Sequence, residues 1–142
     1  MSRLTIFLAR LIGLFIIVLI AGMVLRGSAV IETTAADGPV MLAYAIISLA
    51  IGVAMILGHN VWSGGALPVV VTLVGWLIFA KGLLLLLLSP EAVSAMFGQM
   101  KYREHYYLYL APSFLLGVYL VWAGFSVSPP GPGEIVTSPD LR

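Results

Sequence analysis

Between Leu4 and Phe125 the chain holds four apolar runs of roughly 20 residues each, the length at which a helix rising 1.5 Å per residue crosses the hydrocarbon core of a bilayer. The stretches between them are short and carry most of the polar residues. This arrangement predicts an all-α membrane protein: four transmembrane helices in an up-down bundle, with a short interfacial helix between helices three and four. The expected helices cover about 4–25, 39–57, 66–88 and 106–125, in a single domain over 1–126. Composition agrees, since 9% of the 142 residues are charged where a soluble domain carries about a quarter, and mean hydropathy is +1.11.

The totals also exclude. Seven basic and six acidic residues leave a net charge of +1, which offers no field for nucleic acid. The chain contains no cysteine, so it has no disulfide, thiolate ligand or cysteine nucleophile.

The first run has a basic start like that of a secretory signal, but it is long, and Arg26 stands where a small-residue cleavage site would be; it reads as a retained helix. Residues 27–38, with Glu32, Thr33, Thr34, Asp37 and the Gly38-Pro39 breaker, read as a solvated loop. The second run carries two rows of small residues. Ala43, Ile47, Ala50, Ala54 and Gly58 form one stripe at 100° per residue, and Ala45, Ser48 and Gly52 form another. Such rows let membrane helices approach closely, which makes helix two the expected centre of the bundle.

On the third run, Thr72, Gly75, Phe79 and Gly82 share a face suited to packing, while Val70, Val74, Leu77, Lys81, Leu84 and Leu88 lie opposite, toward lipid or a partner. Ser89-Pro90 ends it. An amphipathic stretch from Glu91 to Met100 is expected to lie among the headgroups, and Tyr102, Tyr106, Tyr107 and Tyr109 form an interfacial belt. The fourth run has Ser113, Gly117 and Gly124 as its small-residue seam and a kink at Pro112. The proline-rich segment 127–142 reads as a disordered tail.

Four spans place both termini on one side together with the turn after helix two. Arg3 and Arg10 favour a cytoplasmic N-terminus, although Arg26, Lys101 and Arg103 nearly balance them on the other side.

Within this frame, the ionisable groups are the site candidates. His59 and His105 lie on opposite sides of the membrane, which rules out a shared metal or haem; no metal site and no cofactor are expected. His59, Asn60 and Trp62 form a polar interfacial turn. Lys81 stands within a span, where charge is expensive and commonly functional, so it is the first candidate to bind an anionic lipid head or a carboxylate partner such as Glu91. Arg10 is close enough to the interface to snorkel toward lipid headgroups. The expected helix-packing positions are Ala50, Ala54, Gly58, Gly75, Gly82, Ser113, Gly117 and Gly124. The spans contain no carboxylate, which weighs against proton-coupled export, and no catalytic fingerprint is present.

The residues Gly58-His59-Asn60-Val61-Trp62, Pro68-Val69-Val70-Val71-Thr72, Gly75-Trp76 and Lys81-Gly82 resemble those of small four-helix bacterial inner-membrane proteins of no assigned activity. The resemblance implies a multi-pass protein of the bacterial inner membrane and carries over no functional residue. The expected function is that of a non-enzymatic accessory, assembly or scaffold protein acting on lipids, other membrane proteins or a second copy of itself. The alternatives are an oligomeric transporter with Lys81, Thr72, Ser48 or Ser113 lining the path, and a haem- or quinone-binding subunit. A chain of this length is not expected to enclose a large cavity alone.

Overall fold

The computed structural model describes residues 2–127, apart from the side chains of Ile31 and Glu32. The tail expected over 127–142 therefore lies outside the described residues, save for Val127. Six helices are present among them: α1 (Arg3–Arg26), α2 (Ala29–Ala36), α3 (Gly38–Gly58), α4 (Ala66–Leu87), α5 (Pro90–Gln99) and α6 (Tyr106–Ser126). Four of these, α1, α3, α4 and α6, are long and apolar enough to cross a membrane.

The starts are set by local chemistry. The Ser2 hydroxyl accepts from the Thr5 N–H at the head of α1, the Asp37 carboxylate from the Val40 N–H at the head of α3, and the Ser89 hydroxyl from the Ala92 N–H at the head of α5. Pro39 and Pro90 occupy first-turn positions, where a missing N–H leaves no bond unmade.

Helix α2 departs from the loop expected over 27–38. Gly27, at φ 77°, ends α1 and turns the chain, after which Ala29–Ala36 winds into a helix. Thr33 and Thr34, which looked like loop residues, give their hydroxyls to the carbonyls of Ala29 and Val30 within α2. Ala35 then packs with Met41 and with Val93 of α5.

The long helices associate as two antiparallel pairs, α3 with α4 and α1 with α6. Glycines set both seams. A Cβ on Gly52 would lie 2.6 Å from the backbone of Phe79, and one on Gly82 would lie 2.7 Å from the Leu49 nitrogen. In the other pair, a Cβ on Gly13 would lie 2.8 Å from the Val121 nitrogen. Backbones this close can be satisfied only by the absence of side chains. Gly75 faces Met55, Gly117 faces Ile16, and Gly124 faces Arg10.

Several expected packing positions fall elsewhere. Ala50 and Ala54 are exposed, and Gly58 has open space where its Cβ would be; the face of α3 that meets α4 is Met41, Ala45, Ser48, Gly52 and Met55, on the opposite side. Ser113 is exposed too, because contact with α1 is carried by Leu110 on one side of it and by Gly117 and Leu120 on the other. Nor is α3 central. It packs mainly on α4, whereas α4 meets α3 along its glycine face and meets the α1/α6 pair along a second face.

That second face is Leu67, Val71, Val74, Ile78, Lys81 and Leu85, spaced three and four residues apart as a single helical stripe. Its first half is buried with Ala9, Leu120 and Ala123. Its second half, where Lys81 stands, reaches the end of the molecule occupied by α2 and α5.

Candidate functional site

At that end the two helix pairs part and leave a crevice of about 600 Å³. Phe15, Leu19 and Gly22 of α1 form one wall, and Tyr44 of α3 with Lys81 and Leu84 of α4 form the other. α2 and α5 close the end through Ala35, Val93 and Phe97. The volume falls within the range of small-molecule sites, about 300–1,000 Å³. A chain of this length was not expected to enclose a large cavity, and it does not enclose this one: the crevice arises because the pairs meet along only half their length, and it stays open on one side.

Almost all of the lining is apolar, yet it includes two cations and no Asp or Glu among the described side chains: Lys81 and, at the end of α1, Arg26. Lys81 stands six residues before Leu87, so its Cα is about 9 Å inside the helix end. Its ammonium lies 5.8 Å from the centre of the Tyr44 ring, within cation–π reach. Glu91, the acid suggested as its partner, is instead turned to solvent. There the Glu91 backbone N–H and the Ser89 hydroxyl bond its carboxylate and hold it below the usual carboxylate range. Lys101 and Glu104 form an exposed ion pair at 3.9 Å, away from Lys81.

The opposite end is built differently. His59 is not a surface turn residue: it is 3% exposed and sits between Thr5 (1%) and Thr72 (2%). Its Nε2 is 2.9 Å from the Thr5 hydroxyl and its Nδ1 3.2 Å from the Thr72 hydroxyl. Thr5 is in turn 2.7 Å from the Ser2 hydroxyl, and Thr72 accepts the Val61 N–H at 3.0 Å. The nearest carbonyl for the Thr72 proton is that of Val61, at 3.0 Å. If it goes there, Nδ1 carries the ring proton, and Thr5 donates to Nε2 while accepting from Ser2. Every buried polar atom in the cluster then has a partner. With both ring nitrogens engaged by hydroxyls, the arrangement clamps α1, the 59–65 turn and α4 together. Asn60 and Trp62 remain on the exposed side of the turn, joined by an indole N–H to amide oxygen bond of 2.7 Å.

Arg10 is also occupied within the chain. Its Nε donates to the Gly124 carbonyl at 2.8 Å, and its guanidinium lies 4.5 Å from the centre of the Phe125 ring. It thereby satisfies a carbonyl in the last turn of α6, where helix backbone acceptors lack partners. At the crevice end the Tyr106 hydroxyl donates to the Met23 carbonyl at 2.7 Å, so α1 and α6 are tied near both ends. His105 is exposed at the head of α6, at the end away from His59.

Sequence reasoning picked out Lys81 but missed Tyr44 beside it, Arg26 on the same crevice, and the partner of His59, Thr5. The signal for the crevice was available in part, since Lys81 continues the Leu67–Val71–Val74 stripe at helical spacing. No protein-family model, curated protein or solved structure matches the chain.

Proposed function

We propose that this chain is a non-enzymatic, multi-pass protein of the bacterial inner membrane that works by holding the hydrocarbon chain of a membrane component between its two helix pairs. The observation that carries this reading is the open apolar crevice. Membrane insertion is supported by the four long apolar helices and by the many large apolar side chains on their outer faces, among them Phe7, Leu25, Leu57, Leu87 and Trp122. The resemblance to small four-helix inner-membrane proteins supports the location. With both termini in the cytoplasm, the crevice opens in the leaflet on the far side.

The reading is that of an accessory or scaffold subunit, and a path through a single chain is disfavoured. The His59 cluster and the Ala9–Val71–Leu120 core fill the other end, so the crevice meets a plug instead of a path through the chain.

Gly22 provides the test. It lines the crevice, and a Cβ added there would meet nothing within 4 Å. Gly22→Phe adds a ring to the crevice lining and leaves the seam glycines unchanged. Mass spectrometry of mildly detergent-extracted protein should find lipid retained by the parent chain and at least about tenfold less on Gly22→Phe, equivalent to about 1.4 kcal/mol of lost binding. Equal retention by the two would place the lipid elsewhere and sink the reading.

A further inference from the structure

Building on that reading, we infer that the occupant is an anionic phospholipid, with an acyl chain in the crevice and its phosphate drawn to Lys81 and Arg26. The argument begins with charge. Lys81 sits about 9 Å inside the helix end, on the stripe whose other members are all apolar. A charge at that depth is costly unless it is paired. Among the described side chains it has the face of the Tyr44 ring and no carboxylate within ion-pair distance, and the acid suggested by sequence, Glu91, is held by its own helix start.

Arg26 adds the second charge at the rim. It lines the same crevice from α1, has no ion pair among the described residues, and presents a planar fork of donors suited to phosphate oxygens. Two cations on facing walls, with no acid in the described lining, complement a ligand that is negative at one end and hydrocarbon at the other. The crevice supplies the same polarity. Arg26 stands at the end closed by α2 and α5, while Phe15 and Val18 extend the lining toward the middle of α1. A phosphate at the interface and a chain running inward would follow that order.

A neutral lipid head fits less well. It would leave the ammonium of Lys81 without a net counter-charge, and a zwitterionic head would bring its own cation toward Arg26. The polar groups near the rim do not change this balance, because the Thr34 hydroxyl is already given to the Val30 carbonyl.

The experiment uses the full chain, delipidated in a neutral detergent and titrated with phosphatidylglycerol or phosphatidylcholine of identical acyl chains, bound lipid being counted by native mass spectrometry. The expected result is a preference of about tenfold for phosphatidylglycerol, about 1.4 kcal/mol. It should fall in Lys81→Gln and in Arg26→Gln, vanish in the double variant and survive in Lys81→Arg. A melting curve for each variant guards against misfolding. If the parent binds both lipids equally and Gly22→Phe releases both, the crevice takes chains without regard to charge: the inference falls and the proposed function stands. If neither lipid binds, both fall. A preference that survives in the double variant arises at other basic residues, such as Lys101 and Arg103, and overturns the inference. A free fatty acid that binds as tightly as phosphatidylglycerol and loses affinity in the same variants would overturn the assignment to a phospholipid.

Discussion

The two ends of this molecule solve the same problem, the junction of one helix pair with the other, in opposite ways. At the His59 end the junction is shut: Thr5 of α1 reaches His59, His59 reaches Thr72 of α4, and Leu67, Val71 and Val74 pack beneath them on Ala9 and Leu120. At the other end the same face of α4 continues to Lys81 and Leu85, and there the pairs stand apart over the crevice. Within the α1/α6 pair no such difference exists, since the two helices are tied at both ends, by Arg10 to Gly124 and by Tyr106 to Met23. The separation therefore belongs to the junction alone. Lys81 stands in the stripe between Ile78, packed on the core, and Leu85, packed on the Ala35–Met41–Val93 cluster, and it faces the crevice where the pairs part.

The harshest way to break the comparison is to destroy a pair, on which both ends depend. Gly52→Leu places a branched side chain where even a Cβ meets the Phe79 backbone at 2.6 Å. Neither helix can yield locally, so α3 and α4 must separate. A loss of more than about 3 kcal/mol is expected, seen as failure to recover monodisperse protein. Full recovery with an unchanged melting temperature would mean that the seam is not where it is placed here. Thr72→Val should have the next largest effect, at the closed end only. It removes the partner of the Val61 N–H and of His59 Nδ1 in a cluster where His59 and Thr72 are almost fully buried, for a loss of about 1–3 kcal/mol. Melting would fall while lipid retention in the crevice, measured below the transition, stays near that of the parent. Lost retention in a folded variant would show that the ends are coupled.

How much of this could be read from sequence divides along the same line. Helix positions were legible because hydropathy and length are local. Gly75 and Gly82 were legible because α4 has one small-residue face. α3 has two small-residue rows on opposite sides, and periodicity alone cannot choose between Ala50–Ala54–Gly58 and Ala45–Ser48–Gly52; the Phe79 backbone makes that choice. α2 was missed because Thr33 and Thr34 bond back into their own helix, which composition does not reveal. His59 looked like a turn residue because its turn is polar, whereas its burial depends on Thr5, 54 residues away. The crevice was the least legible feature: it follows from α1 pairing with α6, at the far end of the sequence, and not with α3.

Smaller effects sharpen the contrast at the open end. Tyr106→Phe removes only the bond to the Met23 carbonyl, for a loss of about 1 kcal/mol. Because this bond ties α1 to α6 and does not bridge the junction between the pairs, melting should drop slightly with lipid preference intact. An altered preference would make this tie part of the site.

The smallest effect concerns Tyr102, which stands just outside the spans with its ring 5.2 Å from both Phe97 and Tyr109 and 5.8 Å from Tyr106. Partial burial, with the neighbouring Tyr106 hydroxyl adding to it, pushes the Tyr102 phenol above the usual tyrosine value. The folded state thus favours the neutral phenol. Its contribution is complete below the ordinary pKa, about 10, and is lost as pH climbs through the higher folded value. Tyr102→Phe keeps the ring and has no proton to lose. The parent and this variant should therefore melt alike near neutrality and diverge above about pH 10, the parent falling faster. Because the cluster rests on Phe97 of α5, which also lines the crevice, that alkaline loss should loosen the floor of the open end and leave the His59 end in place. Amide exchange resolved by helix would separate the two: exchange that rises in α5 before the first turns of α1 and α4 fits two independently held ends, and a simultaneous rise in all three would reduce them to one cooperative unit.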